Sequence, residues 1–295
     1  MEIGMFEKES GELRIKNIAK RILPDISIRK IYRVCERYGE NENEIREYDA
    51  YKIVSSSGNM FLKKASELEA VNYEKYLSQG EFKVPEFFGK TEKNGETWIL
   101  IGAIDGSDLR DMTDEKAIAA AHSIADIQNR FCNNTDTERF DTYLVRIEKR
   151  YAFIKDEGEI GEAYRIFLER QKTCPRTMSN GDLLEFNAVS HDGQVYIIDW
   201  GFGGIMPYSL DLARFIAHAT EDRATFPFYM KDEQKELFLR EVYACLNEKP
   251  DFEQFIYDVK LAVLNEYVEF IEADEDDDKW YYNHAKKLAK EILMA

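Results

Sequence analysis

The sequence predicts an α+β chain in which a small, mainly antiparallel β portion with one key helix precedes a larger, mostly helical portion. Three observations point there. Between Ile28 and Ile101 apolar residues recur largely with period two, in short runs separated by turn residues. One helical run, Ser66 to Leu77, interrupts that series after its third member. From Thr113 onward the spacing changes to i, i+3, i+4 and keeps that period on both sides of a stretch around 180–200.

Taken in order, Gly11 to Leu23 carries Leu13, Ile15, Ile18, Ala19 and Ile22 near helical spacing, and Pro24 ends the run. Ile28, Lys30, Tyr32 and Val34 alternate with Arg29, Ile31, Arg33 and Cys35, a strand with one more apolar face. Ile45–Val54 reads as a second strand, Ser55–Asn59 as a turn and Met60–Ala65 as a third strand. Ser66 is a suitable N-cap for a helix bearing Leu68, Val71, Tyr73, Tyr76 and Leu77. Val84–Gly89 and Thr97–Ile101, joined through Lys93-Asn94-Gly95, bring the strands to five. Thr113 caps a helix marked by Ala117, Ala121, Ile124 and Gln128; Leu144, Ile147, Tyr151 and Ile154 mark the next, and Ala163, Ile166 and Phe167 a third. Further helices fit 232–246, 251–272 and 279–293, and their aromatic stripes read as core rather than as a ligand cage.

A chain of 295 residues with 44% hydrophobic content has enough apolar surface to bury a full core, as one large domain or two lobes. Its net charge of −17 argues against nucleic-acid binding, which concentrates Lys and Arg. An acidic field can draw in a cationic substrate, or serve solubility alone. The opening MEIGMFEKESGELRIK is charged throughout, so no signal peptide is expected, and no apolar run approaches the roughly 20 residues that cross a bilayer. Cys35, Cys132, Cys174 and Cys245 form no CxxC pair, and His122, His191, His218 and His284 show no ligand spacing. Neither zinc nor disulfides are therefore expected, and the histidines read as surface or packed residues. A reduced cytoplasmic protein, without nucleic-acid or membrane partners, is the expectation; composition fixes no oligomeric state.

The chemistry concentrates in Asn180 to Phe215. Asp182 and Asn187 lie five residues apart, and Asp199 closes the apolar run Val195-Tyr196-Ile197-Ile198. His191-Asp192-Gly193-Gln194 between them is a hairpin turn with Asp-Gly at its centre. Folding that hairpin back brings Asn187 and Asp199 together, a pair of hard oxygen donors that suits Mg²⁺. Asp182 is then free to accept a proton from a hydroxyl attacking a γ-phosphate. Asp211 leads the apolar set Leu212, Ala213, Phe215 and Ile216, in the first turn of a helix, where a carboxylate complements the dipole.

These residues resemble the aminoglycoside phosphotransferase and choline kinase family, small-molecule relatives of the protein kinases. The family's His-Gly-Asp-(four residues)-Asn loop, hairpin and Ile-Asp-Trp are matched by Asn180-Gly181-Asp182-(four)-Asn187 and Ile198-Asp199-Trp200, with Leu210-Asp211-Leu212-Ala213 downstream. The resemblance implies a bilobal, protein-kinase-like fold: an N-terminal nucleotide-binding lobe over 1–101, a hinge at about 101–106 and a helical catalytic and substrate lobe over 102–295. It implies that Lys63, ending the third strand, holds the phosphates of ATP or GTP, and that a carboxylate of the following helix aims it, Glu69 by preference with Glu67 as the alternative. It further implies that Ile101 backs the adenine while backbone groups of Gly102 and Ile104 bond its edge. Asp182 would be the catalytic residue, Asn187 and Asp199 the Mg²⁺ ligands, and Asp211 a buttress for the loop through backbone amides.

Two departures stand out. Asn180 replaces the family His, which should weaken the support of the loop more than its chemistry. Arg37-Tyr38-Gly39-Glu40-Asn41-Glu42-Asn43-Glu44, where kinases place a glycine-rich phosphate loop, has one Gly and three carboxylates. Turned inward, they would repel a triphosphate. Two readings therefore stand: an ATP-dependent kinase acting on a hydroxyl of an aminoglycoside, choline-like amine, sugar or amino alcohol, and a kinase-shaped module that binds nucleotide or ligand without turnover. Glu185, inside the loop, either faces a substrate cation or faces water.

Overall fold

Alternating burial builds the sheet of the N-terminal unit. In the computed structural model, which describes residues 4–38, 44–219 and 229–294, Tyr51 and Ile53, Met60 and Leu62, and Trp98 and Leu100 are three i, i+2 pairs turned to one face. The strands are β1 (Gly4–Glu9), β2 (Ile28–Tyr38), β3 (Glu44–Ser55), β4 (Gly58–Ala65), β5 (Phe87–Lys93) and β6 (Glu96–Gly102). They form one antiparallel sheet in the order β1-β2-β3-β4-β6-β5. Helix α1 (Leu13–Ile22) lays Ile15, Ile18 and Ala19 on that face. Each large apolar side chain so buried contributes about 1.5–3 kcal/mol.

The sequence gives no hint of β1. It is an edge strand in which Met5–Glu9 are exposed or half-exposed, so no buried face leaves a period there in the sequence. Strand β5 starts at Phe87, not at Val84, because Pro85 brings no N–H to a ladder. The helix after β4 is α2 (Glu67–Val71); a π turn over Asn72–Tyr76 and a 3₁₀ turn over Leu77–Gln79 carry the expected helical segment onward. Of the acidic segment, Glu44 opens β3 and is exposed, while residues 39–43 lie outside the described residues.

The chain divides into two units, Met1–Gly106 and Ser107–Ala295. The division falls at the far end of the expected 101–106 hinge. Gly102 still pairs with Met60, and Ala103 N–H donates to Asn59 O at 3.1 Å, which ties this segment to the first unit.

The second unit is mostly helical. A short strand β7 (Ser107–Asp108) leads to α3 (Asp114–Arg130), α4 (Glu138–Ile154) and α5 (Glu159–Gln171). Next come β8 (Arg176–Ser179), a 3₁₀ turn over Glu185–Asn187, the hairpin β9 (Ala188–His191) and β10 (Gln194–Ile197), and β11 (Gly204–Pro207). The unit closes with α6 (Ser209–Ala217), α7 (Asp232–Cys245), α8 (Phe252–Glu272) and α9 (Trp280–Met294). β9 lies between β10 and β7, and β11 pairs with β8, all antiparallel. The aromatic stripes are core: Phe215 meets Phe238 at 4.8 Å between ring centroids, and Phe255 stacks on Tyr208 at 5.9 Å. Among the described residues no helix is long and apolar enough to cross a membrane. All four cysteines are free thiols.

Candidate active site

The candidate site residues fall on both units. In the first unit, strand alternation separates two adjacent lysines. Leu62 is buried; Lys63 points from the opposite face, half-buried, and Lys64 is exposed beyond it. Lys63 Nζ lies 2.8 Å from Glu69 Oε1, whereas Lys64 Nζ pairs with Glu96 Oε1 at 3.0 Å. Ser66 fixes Glu69 by accepting its backbone N–H at 3.1 Å, a side-chain cap on the first turn of α2. Glu69 is buried and Glu67 exposed, so of the two helix carboxylates it is Glu69 that meets the lysine. Ile101 is buried in β6. The N–H of Gly102 is not available to a nucleotide edge: it donates to Glu86 O at 2.8 Å. Ile104 lies beyond the strand end.

In the second unit, β8 delivers the chain to a tight loop. Gly181 has φ +79°, and a Cβ there would stand 2.3 Å from Phe202 O, so both backbone conformation and space demand glycine. Asp211, buried in the first turn of α6, accepts from Ser179 Oγ at 2.7 Å, Asn180 N at 2.6 Å and Gly181 N at 3.0 Å. Burial pushes its carboxyl up while these three donors pull it down; the balance lies above the ordinary value. Asn180, in the place of the family His, is itself bonded into the loop. Its amide donates to Ile198 O at 3.0 Å and Asp199 O at 3.1 Å, and its Oδ1 accepts Asp182 N–H at 3.2 Å. Asn180 thus helps tie the loop to the end of the hairpin.

The hairpin turns as its Asp-Gly predicts, with φ +49° at Asp192 and +73° at Gly193. Ala188 stands opposite Ile197, and Ile198 N–H donates to Asn187 O at 2.9 Å, which sets Asn187 beside the segment that carries Asp199. Asn187 Nδ2 donates to Asp182 O at 2.7 Å, leaving its amide oxygen as the acceptor turned elsewhere. Asp199 is exposed and holds φ +55°, a strained value for a non-glycine residue. One amide oxygen and one accessible carboxylate are hard donors of the kind Mg²⁺ takes, so this pair fits that ion.

Asp182 itself is gripped by Arg214, which sequence reasoning missed. Arg214 Nη2 and Nε donate to Asp182 Oδ1 at 2.7 and 3.1 Å, and Nη1 donates to Glu266 Oε2 at 2.7 Å. His218 Nε2 lies 3.3 Å from the same Glu266 oxygen, and its Nδ1 is 3.1 Å from Tyr281 Oη. Burial raises the Asp182 carboxyl above its ordinary value, against the pull of Arg214. Glu266 is buried too, yet the Arg214 guanidinium holds it well below the carboxylate range. Burial lowers His218. One signal for Arg214 was present: it stands three residues after Asp211 on a helix, hence on the same face. Nothing in the sequence marks Glu266.

Asp182, Arg214 and Glu266 line a pocket of about 230 Å³ together with Tyr143, Arg146 and Glu269. Glu185 does not reach water. It is buried, and neither carboxylate oxygen has a hydrogen-bond partner among the described residues, so burial drives its carboxyl well above the ordinary value.

Residues 47–244 match the model of a family described as the phosphotransferase enzyme family. No curated protein matches the chain in sequence. Solved structures are similar in fold. An aminoglycoside phosphotransferase from Alicyclobacillus acidocaldarius is 11% identical with a TM-score of 0.58, over 97% of this chain and 96% of that one. The choline kinase LicA from Streptococcus pneumoniae is 14% identical with a TM-score of 0.55, over 96% of this chain and all (100%) of that one. An amicoumacin kinase in complex with AMP-PNP and Ca²⁺ is 12% identical with a TM-score of 0.58, over 96% of this chain and 93% of that one. With its antiparallel N-terminal unit, its helical second unit and a family match spanning two thirds of its length, the chain belongs to the phosphotransferase enzyme family and has a kinase-like fold.

Proposed function

We propose that the protein transfers the γ-phosphoryl group of ATP or GTP to a hydroxyl of a small molecule, with Asp182 as the catalytic residue. The observation that carries this reading is the fastening of Asp182. Arg214 occupies Oδ1, Asn187 lies 3.4 Å from Oδ2 and donates to Asp182 O, and Asp211 and Asn180 fix the backbone N–H groups of residues 180, 181 and 182. A carboxylate held closely at Oδ1, with only a long contact at Oδ2 and a hydrogen-bonded loop behind it, is placed to orient an acceptor hydroxyl and take its proton late in a largely dissociative transfer. Arg214 pulls the Asp182 carboxyl down against burial, which remains the larger effect and leaves it above its ordinary value.

Asn187 and Asp199 would hold Mg²⁺, which when bound neutralises charge on the nucleotide phosphates. Lys63, aimed by Glu69, would hold those phosphates in turn, and Ile101 with backbone of the 101–106 segment would receive the base. Of that segment, Ile104 is the better donor, since Gly102 N–H is committed to Glu86. The AMP-PNP present in the amicoumacin kinase complex supports nucleotide binding by relatives of this fold. The acceptor is one of the small hydroxylated molecules, and the pocket beside Asp182 is where it would sit.

The test is ligand-linked stability. Mg-ATP or Mg-GTP should raise the melting temperature more than nucleotide with chelator, since a ligand that binds only the folded state stabilises it. Asp199→Ala should abolish the difference. Equal shifts with and without Mg²⁺ in both proteins would overturn the metal assignment.

A further inference from the structure

A second cluster of ligand-type side chains lies on α3 and α7, away from every residue given a role above. His122 and Asp126 are four residues apart on α3, and Glu241 and Cys245 are four apart on α7, so each pair shares a helix face. The two helices pack against each other, and Asn129 ties them at this level: its Nδ2 donates to Cys245 O at 2.9 Å and its Oδ1 accepts Asn247 N–H at 2.8 Å. Across the seam His122 Nε2 stands 3.6 Å from Glu241 Oε2, and one ligand atom each of His122, Glu241 and Cys245 lies within 4.8 Å of the others.

We propose that His122, Glu241 and Cys245 form a binding site for a thiophilic divalent transition ion of the zinc class, with Asp126 or water in the fourth position. The donor set decides the class. An imidazole, a thiolate and a carboxylate match tetrahedral Zn²⁺, whereas Mg²⁺ and Ca²⁺ take oxygen ligands alone. Bonds of roughly 2.0–2.3 Å place tetrahedral ligand atoms about 3.3–3.8 Å apart, a separation His122 and Glu241 already have at 3.6 Å, which leaves at most a gap to Cys245 Sγ, within 4.8 Å of both. His122 and Glu241 are long side chains open to solvent, so rotamer changes can close that gap without moving a helix. The thiol proton leaves to solvent as the metal–sulfur bond forms. Ligands drawn from two helices make such an ion a clamp between α3 and α7, independent of the phosphotransfer chemistry proposed for Asp182.

Cobalt(II) is the probe, because its bond to a thiolate gives a sulfur-to-metal charge-transfer band to which oxygen-only sites contribute nothing. The reduced, chelator-treated full chain should develop that band, saturating at one equivalent, and Zn²⁺ should displace it and raise the melting temperature. Cys245→Ser should abolish the band, and His122→Ala should weaken Co²⁺ and Zn²⁺ binding by roughly tenfold or more. Cys35 and Cys174 are buried, which makes Cys132 the other thiol within reach of metal; Cys132→Ser should behave as the parent. Absence of the band in the parent overturns the site. So does a band that survives in Cys245→Ser or vanishes in Cys132→Ser. Should Cys245→Ser fold poorly, the exposed His122→Ala decides alone: unchanged affinity there overturns the proposal.

Discussion

Glu185 carries an electrostatic cost that can be read out directly. Its carboxyl is buried without a hydrogen-bond partner among the described residues, and burial lifts its pKa well above that of the unfolded chain. A carboxyl raised on folding binds more protons in the native state, so it makes stability fall as pH rises from the unfolded value, near 4.3, toward the folded one. The slope from one such group is at most about 1.4 kcal/mol per pH unit. Glu185→Gln, which keeps the shape and removes the ionisation, should flatten the pH dependence of unfolding free energy in that window. Denaturant melts across pH check it; superimposable curves for parent and variant would contradict it. Residue by residue, the sequence disclosed those side chains whose chemistry depends on near neighbours: Asp182 with Asn187, the turn at Asp192-Gly193, Ser66 with Glu69. Arg214 with Glu266, 52 residues apart, and His122 with Cys245 meet only through helix packing, which no local spacing encodes.

At the scale of elements, β4 makes the sharpest distinction. Successive side chains point to opposite faces, so Lys63 turns to Glu69 while Lys64 turns to Glu96 at the surface. If Lys63 holds phosphates, Lys63→Ala should weaken Mg-nucleotide binding by about tenfold or more, whereas Lys64→Ala should leave it near the parent. Titration of both variants checks this; a larger loss in Lys64→Ala would place the phosphates on the other face of the sheet. Elements with one buried face were legible because burial imposes a period, as in β3, β4, β6 and the helices of the second unit. Strand β1 was not legible, since at the sheet edge Met5–Glu9 bury neither face. The π turn after α2 was read as plain helix, its Tyr73 and Tyr76 being buried as a helix would bury them.

For the molecule as a whole, the family match and the likeness to kinase structures settle the fold, and the site gives that fold its proposed chemistry. The net charge of −17 does not by itself make the pocket beside Asp182 a cation trap. Asp182 and Glu266 are bound by Arg214, Glu269 by Arg150 at 2.5 Å, and Asp211 by three donors, while Arg146 on the same wall has no ion pair among the described residues. The acceptor panel should therefore span neutral, cationic and anionic hydroxyl compounds. On whichever acceptor is turned over, the central claim is tested by the rate of phosphoryl transfer from γ-labelled nucleotide in the parent and in Asp182→Asn, with Mg-nucleotide affinity measured alongside. The variant keeps the side chain's size and one acceptor oxygen but loses charge and basicity. It should bind Mg-nucleotide like the parent and lose about 10²–10⁴ in rate. Transfer by Asp182→Asn at the parent's rate would contradict the account.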